Sequence, residues 1–91
     1  MDGRVVLVNP SHNRVAVRDR VGHYSVFEVN SRGLPDHGDL ISGALDKVGT
    51  LKLVNLTKKY MFSATVTHTG EPVAFRTKQM VFETESMRHK G

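Results

Sequence analysis

Arg14-Val15-Ala16-Val17-Arg18-Asp19-Arg20-Val21-Gly22-His23-Tyr24-Ser25-Val26-Phe27-Glu28-Val29 reads as two β-strands joined by a tight loop. In the first strand Val15 and Val17 alternate with Arg14, Ala16 and Arg18, the period of a sheet with one buried face. The second, His23 to Val29, is ambiguous by itself, because Phe27 and Val29 oppose Tyr24, Val26 and Glu28. The loop therefore sets the register. A two-residue loop at Val21-Gly22 would force a β-branched valine into a left-handed backbone. A three-residue loop, Arg20-Val21-Gly22, puts glycine there instead and pairs Arg18 with Tyr24, Ala16 with Val26 and Arg14 with Glu28. Val15 and Phe27 then meet inside, while Arg14 faces Glu28 and Arg18 lies beside Tyr24 outside.

Asp46-Lys47-Val48-Gly49 repeats the shape of Asp19-Arg20-Val21-Gly22 at an offset of 27 residues. The same register over Leu40 to Leu45 and Thr50 to Leu56 pairs Leu45 with Leu51 and Gly43 with Leu53 inside, a glycine placement suited to a sharp barrel bend. A duplicated hairpin and the recurrence of a common turn both account for the repeat. A strand at Arg4 to Val8 precedes these hairpins and ends at Asn9-Pro10-Ser11-His12-Asn13, where proline lacks a ladder donor. Residues 30–38 are too short and too broken for a helix and are expected to cross the barrel end.

Beyond residue 56, Tyr60 to Thr67 alternates like a strand, His68-Thr69-Gly70-Glu71-Pro72 reads as a turn, and Val73 to Arg76 resumes extended character. That pattern predicts a β-hairpin over 58–84 appended to a barrel of residues 3–56. Residues 77–84 satisfy neither period, so a continued strand and a short helix both stay open. Residues 85–91 should fray.

The class is all-β and the chain one domain, 1–91: a second core does not fit in 91 residues. Without cysteine there are no disulfides, thiolate zinc sites or cysteine nucleophiles. No apolar run is long enough to cross a membrane and the first residues lack the features of a secretory signal, so a cytoplasmic protein is expected. Net charge is +4, and the excess lies mostly after residue 56, where six basic residues face three acidic ones. Such a balance permits an anionic partner without requiring one.

Three strands in a meander, a connector and a tight hairpin give the strand sequence of the five-stranded OB-fold, which residues 3–56 resemble. The resemblance is carried by Gly3-Arg4-Val5-Val6, by the pair Val15 to Val29, and by Gly38-Asp39-Leu40-Ile41. Small SH3-like barrels offer similar strands. Members of the OB-fold often bind oligonucleotides or oligosaccharides on the outer face of strands two and three and the flanking loops. Carried over to this chain, that implies Arg14, Arg18 and Tyr24 on the face, His12 and Asn13 on the first loop, and Lys47 on the last. Guanidinium groups suit phosphates, and Tyr24 offers a base one stacking surface. With only that aromatic, and with Glu28 nearby, affinity for single-stranded RNA or DNA is expected to be weak.

Lys58 and Lys59, before Tyr60, Met61 and Phe62, add charge beside aromatics and join the candidate site. Two lysines opening a strand also protect an edge from aggregation. Arg14, Arg18 and Tyr24 equally fit a solvated sheet face with an ion pair and a cation–π contact. The five histidines sit on separate turns or strand ends with no metal-ligand spacing, the aspartates close turns, and no acid/base pair or phosphate loop appears, so neither an enzyme nor a cofactor is expected. The rival function is a protein-interaction or self-assembly domain using Met61, Phe62, Phe75, Met80 and Phe82, either of another protein or of a second copy.

Overall fold

The computed structural model describes residues 1–82, and the expected fraying of residues 85–91 lies outside the described residues. Six strands and a helix follow in order: β1 (Asp2–Asn9), β2 (Arg14–Arg18), β3 (Tyr24–Val29), β4 (Leu40–Ser42), β5 (Gly49–Asn55), β6 (Tyr60–Glu71) and α1 (Ala74–Phe82). The strands close a barrel in the order β1-β2-β3-β6-β5-β4, with β4 returning to β1 and every neighbouring pair antiparallel. The all-β barrel expected from the sequence is present, with six strands in place of five.

The β2–β3 register is the one the three-residue loop requires, Arg18 opposite Tyr24, Ala16 opposite Val26 and Arg14 opposite Glu28. Asp19 fixes the loop: its Oδ1 accepts from the Val21 and His23 backbone N–H groups, and Gly22 takes a φ of 87°. Ile41 opposite Asn55 and Ser42 opposite Val54 continue the register that sets Gly43 against Leu53. Here, however, the ladder stops at Ser42, and the turn that follows closes earlier than expected, from the Lys47 N–H to the Ala44 carbonyl. The inward residues Val5, Val15, Val17, Phe27, Ile41, Leu53, Phe62, Ala64 and Val66 fill the barrel, and Leu34 of the connector packs against them from one end.

A bulge at Val6 sets the outside of β1. Around the first turn Asn9 pairs with Arg14 and Leu7 with Ala16, but beyond Val6 the register shifts, so that Val5 meets Val17 and Arg4 meets Arg18. Continued without the bulge, the pairing would have turned Arg4 inward and set it against Asp19. The bulge instead puts Val5 in the core, Arg4 outside, and both Val6 and Leu7 on an outer apolar patch with Ala16 and Val26.

The appended hairpin is not formed. β6 has two partners, β5 along residues 60–66 and β3 as far as the Tyr24–Glu71 pair, so pairing carries the chain through the expected turn at residues 68–72. Register shifts in the β3–β6 ladder and a left-handed Gly70, φ 69°, absorb the mismatch. Pro72 ends the strand, and residues 74–82 form a helix because the outer patch needs cover. Thr77 and Val81 are buried against it and Met80 packs beside them, so the chain's tertiary setting decides a segment whose own period is weak. Burying Val81 fully contributes about 1.5–3 kcal/mol.

Candidate nucleic-acid interface

The β2–β3 hairpin carries the predicted face, and α1 lies across its middle. Ala16 and Val26, whose side chains separate Arg14 from Arg18 and Glu28 from Tyr24, are fully covered by the helix. Arg14 belongs to that docking. Its Nε donates to Glu28 Oε2 at 3.1 Å and its Nη1 to the Met80 carbonyl at 3.4 Å. Helix ends leave carbonyls without intrahelical partners and carry partial negative charge. Having no basic residue in its own last turn, α1 takes that cation from β2.

The remaining predicted residues divide between the barrel's two ends. His12 and Asn13 are on the β1–β2 turn, Asn13 with φ 55° and His12 with a buried Nδ1 that lacks a hydrogen-bond partner among the described residues. Lys58 and Lys59 are on the β5–β6 turn at that same end, where the Leu56 N–H bonds the Leu40 carbonyl. Lys47 lies at the opposite end, beside the β2–β3 loop, as the Ser25 Oγ bond to the Leu45 carbonyl records.

Lys58 is held by carboxylates. Its Nζ bonds Asp36 Oδ2 and, at 2.8 Å, Asp39 Oδ2, which also accepts from Asn55 Nδ2 at 2.8 Å and from the Asp36 N–H at 2.9 Å. Burial pushes the Asp39 carboxyl up, but the hydrogen bonds from Lys58, Asn55 and Asp36 outweigh it and hold the group at about 2, below its ordinary 3.8. The bond to Asp36, with that to Asp39, pushes Lys58 from 10.5 up to about 12. This network ties the connector to the β5–β6 turn, and Lys59, exposed with φ 63°, stands outside it.

Arg18 and Tyr24 stay together outside the helix's seat and are extended by residues the sequence reading missed. Arg4 lies directly opposite Arg18, giving a cross-strand row Leu40, Arg4, Arg18, Tyr24 and Glu71 over five strands. Arg4, Arg18 and Arg20 line a groove of about 350 Å³ with Asp2, Gly3, Asp19 and Leu40. Among the described residues none of these three arginines makes an ion pair. Like charges directly opposite in a sheet are destabilising, and Arg4 and Arg18 are such a pair; against Asp2 and Asp19 the groove keeps one excess positive charge, with the bond of Arg4 Nη1 to the Gly38 carbonyl the one its arginines make among the described residues. Arg4 was hidden from sequence reasoning by the Val6 bulge.

No family model matches the chain, and neither a curated protein nor a solved structure does.

Proposed function

We propose that this OB-like barrel is a binding module for single-stranded nucleic acid, engaged at Arg4, Arg18, Arg20 and Tyr24. The carrying observation is the placement of Arg4 against Arg18 and of Arg18 against Tyr24 in one row. Two guanidinium groups in adjacent positions suit successive phosphates of a backbone, and a neighbouring phenol ring gives one base a stacking surface. Nothing in such a row distinguishes one base from another, so binding is sequence-tolerant and dominated by charge. Lys47 adds charge at the same end. Arg14 and Lys58 act in the fold, His12 and Asn13 lie on the β1–β2 turn away from the row, and Lys59 is on the β5–β6 turn that hydrogen-bonds Leu40 at the row's edge.

Fluorescence anisotropy with a labelled oligonucleotide of about a dozen nucleotides tests the reading. Affinity should fall with ionic strength, and Arg4→Gln with Arg18→Gln should reduce the log–log salt slope by about 1.4, at roughly 0.7 per phosphate contact on a single strand. Absence of binding at low salt, or a slope untouched by the double substitution, refutes it. A second reading, association with a protein or another copy, is favoured by Leu56 and Met61, which expose 43% and 64% of their surface on the β5–β6 hairpin. A concentration-dependent mass in light scattering that Met61→Ser abolishes would support that reading.

A further inference from the structure

The helix that covers the middle of the β2–β3 face carries its own row of aromatic and basic side chains. With Thr77 and Val81 buried, the turn of 100° per residue puts Phe75, Gln79 and Phe82 along the outward crest, with Lys78 on one flank and Arg76 on the other. Phe75 is 67% exposed and Phe82 43%. Packing on the β2–β3 face accounts for Thr77, Met80 and Val81 but not for the two phenylalanines held in solvent. No acidic residue occurs between Ala74 and Phe82.

The position of α1 connects this crest to the arginine row. Glu71, the last residue of β6, pairs with Tyr24, and the helix begins three residues later. Its other end reaches Arg14 and Asn9, which bond the Met80 and Val81 carbonyls. The helix thus starts beside Tyr24 and runs over the face toward the β1–β2 turn. The crest with Phe75 and Phe82 therefore lies on the same outer side of the barrel as Arg18 and Tyr24.

We infer that the outward crest of α1 is the base-stacking half of the nucleic-acid site, an inference that rests on the function proposed above. The partner is a single strand because both features ask for one. Exposed phenylalanine rings offer stacking faces that paired bases within a duplex cannot meet, and Arg76 and Lys78, with no carboxylate among the described helix residues Ala74–Phe82, attract a polyanion. Phe75 and Phe82 are seven residues apart, about 10.5 Å along the axis. They therefore take two different bases, with Lys78 and Arg76 placed for the phosphates on either side. The cover removes the sheet surface between Arg14 and Arg18 from the site and substitutes the helix's own.

The test uses the full chain with a labelled oligothymidine of about a dozen nucleotides, wild type against Phe75→Ala with Phe82→Ala and against Arg4→Gln with Arg18→Gln. Both phenylalanines are exposed, so near-ultraviolet and far-ultraviolet circular dichroism should stay as in the wild type. Each lost stack is expected to weaken binding by about 5- to 150-fold, with the salt slope unchanged because no charge is removed. Arg76→Gln with Lys78→Gln should instead lower the slope. If the wild type binds and the arginine variant loses affinity while the phenylalanine variant does not, the inference is overturned and the proposed function stands. If the wild type binds no oligonucleotide, both fall. Equal weakening of the phenylalanine variant toward a duplex of the same length also overturns the inference, since stacking on unpaired bases would not be its cause.

Discussion

Asn9 and Val81 are joined by a buried hydrogen bond of 2.9 Å, from the amide Nδ2 on the first strand to a carbonyl in the helix's last described turn. Arg14, the cross-strand neighbour of Asn9, reaches the Met80 carbonyl one residue earlier. The β1–β2 hairpin thus supplies the helix with the C-terminal partners its own sequence lacks. Docking of α1 is a polar match at one end and an apolar seat of Val6, Leu7, Ala16 and Val26 along its length.

Asn9→Ala should therefore lower stability by about 1–3 kcal/mol, the cost of leaving a buried carbonyl unpaired. Asn9→Asp separates this bond from the turn, because the carboxylate still accepts from the Ser11 N–H as Asn9 Oδ1 does. At neutral pH it faces a carbonyl and should destabilise at least as much, and it should recover part of the loss on acidification, when a protonated carboxyl donates again. Urea melts check the stabilities, and amide exchange over residues 77–81 checks that the helix is the part released.

Gly43 faces Leu53 where β4 turns out of the barrel wall. A Cβ built at Gly43 falls 2.6 Å from Leu53 Cδ2, and the glycine has φ 150°, a region L-residues rarely adopt. Gly43→Ala should destabilise the barrel by about 1–3 kcal/mol. Adding Leu53→Val relieves the contact but not the backbone, so the double variant should remain less stable than Leu53→Val alone. Guanidinium melts of the three variants decide this.

The parts of the fold that follow from local chemistry were legible. Asp19, Val21 and Gly22 fix their own loop, and its geometry dictates the β2–β3 register without knowledge of the rest. Positions 27 apart in the two hairpins share a register but not a face: Val15 points inward, whereas Ser42 belongs to the outer side. The repeated Asp-[Lys/Arg]-Val-Gly is thus a recurrence of turn residues and not of a packed unit. What depends on distant partners was not legible. Val6 bulges because both sides of β1 are covered, which requires the helix, and the helix forms because the patch made by Val6, Leu7, Ala16 and Val26 is there to receive it. The continuous apolar run Val5-Val6-Leu7-Val8 was the available signal, since a strand covered on both faces loses its alternation. The candidate site shared this fate: Arg18 and Tyr24 are neighbours through the loop, but Arg4 joins them through the bulge and α1 through the chain's return.

The Asp39–Lys58 pair makes stability depend on pH at both extremes. Asp39 has a folded value of about 2 below an ordinary 3.8, so its contribution is present above that range and is lost as pH falls through 4 toward 2. Lys58 is raised from 10.5 to about 12, so its share is full below 10.5 and is lost as pH rises through 12. Lys58→Met removes one of the three donors that hold Asp39 down, so its carboxyl rises toward the ordinary value. Stability at neutral pH should then fall and its further loss between pH 4 and 2 should shrink, while oligonucleotide affinity changes no more than the loss of one charge allows. Acid titrations followed by tyrosine fluorescence, paired with anisotropy, test both halves.

Arg4 opposite Arg18 sets stability against binding. Replacing one of two like charges by the opposite charge converts repulsion into a cross-strand ion pair, and a pair of that kind contributes about 0.2–1 kcal/mol in an exposed sheet. Arg18→Glu should thus leave the protein as stable as the wild type or slightly more so, with the gain fading at high salt. Arg4 keeps its bond to the Gly38 carbonyl, so the β1–β4 edge is not disturbed. Oligonucleotide binding should be lost, because the row then offers a carboxylate to a phosphate. A variant that melts later and no longer binds would mark the pair as retained for an anionic partner. One that melts earlier while binding unchanged would show that Arg18 serves the sheet and that the partner sits elsewhere.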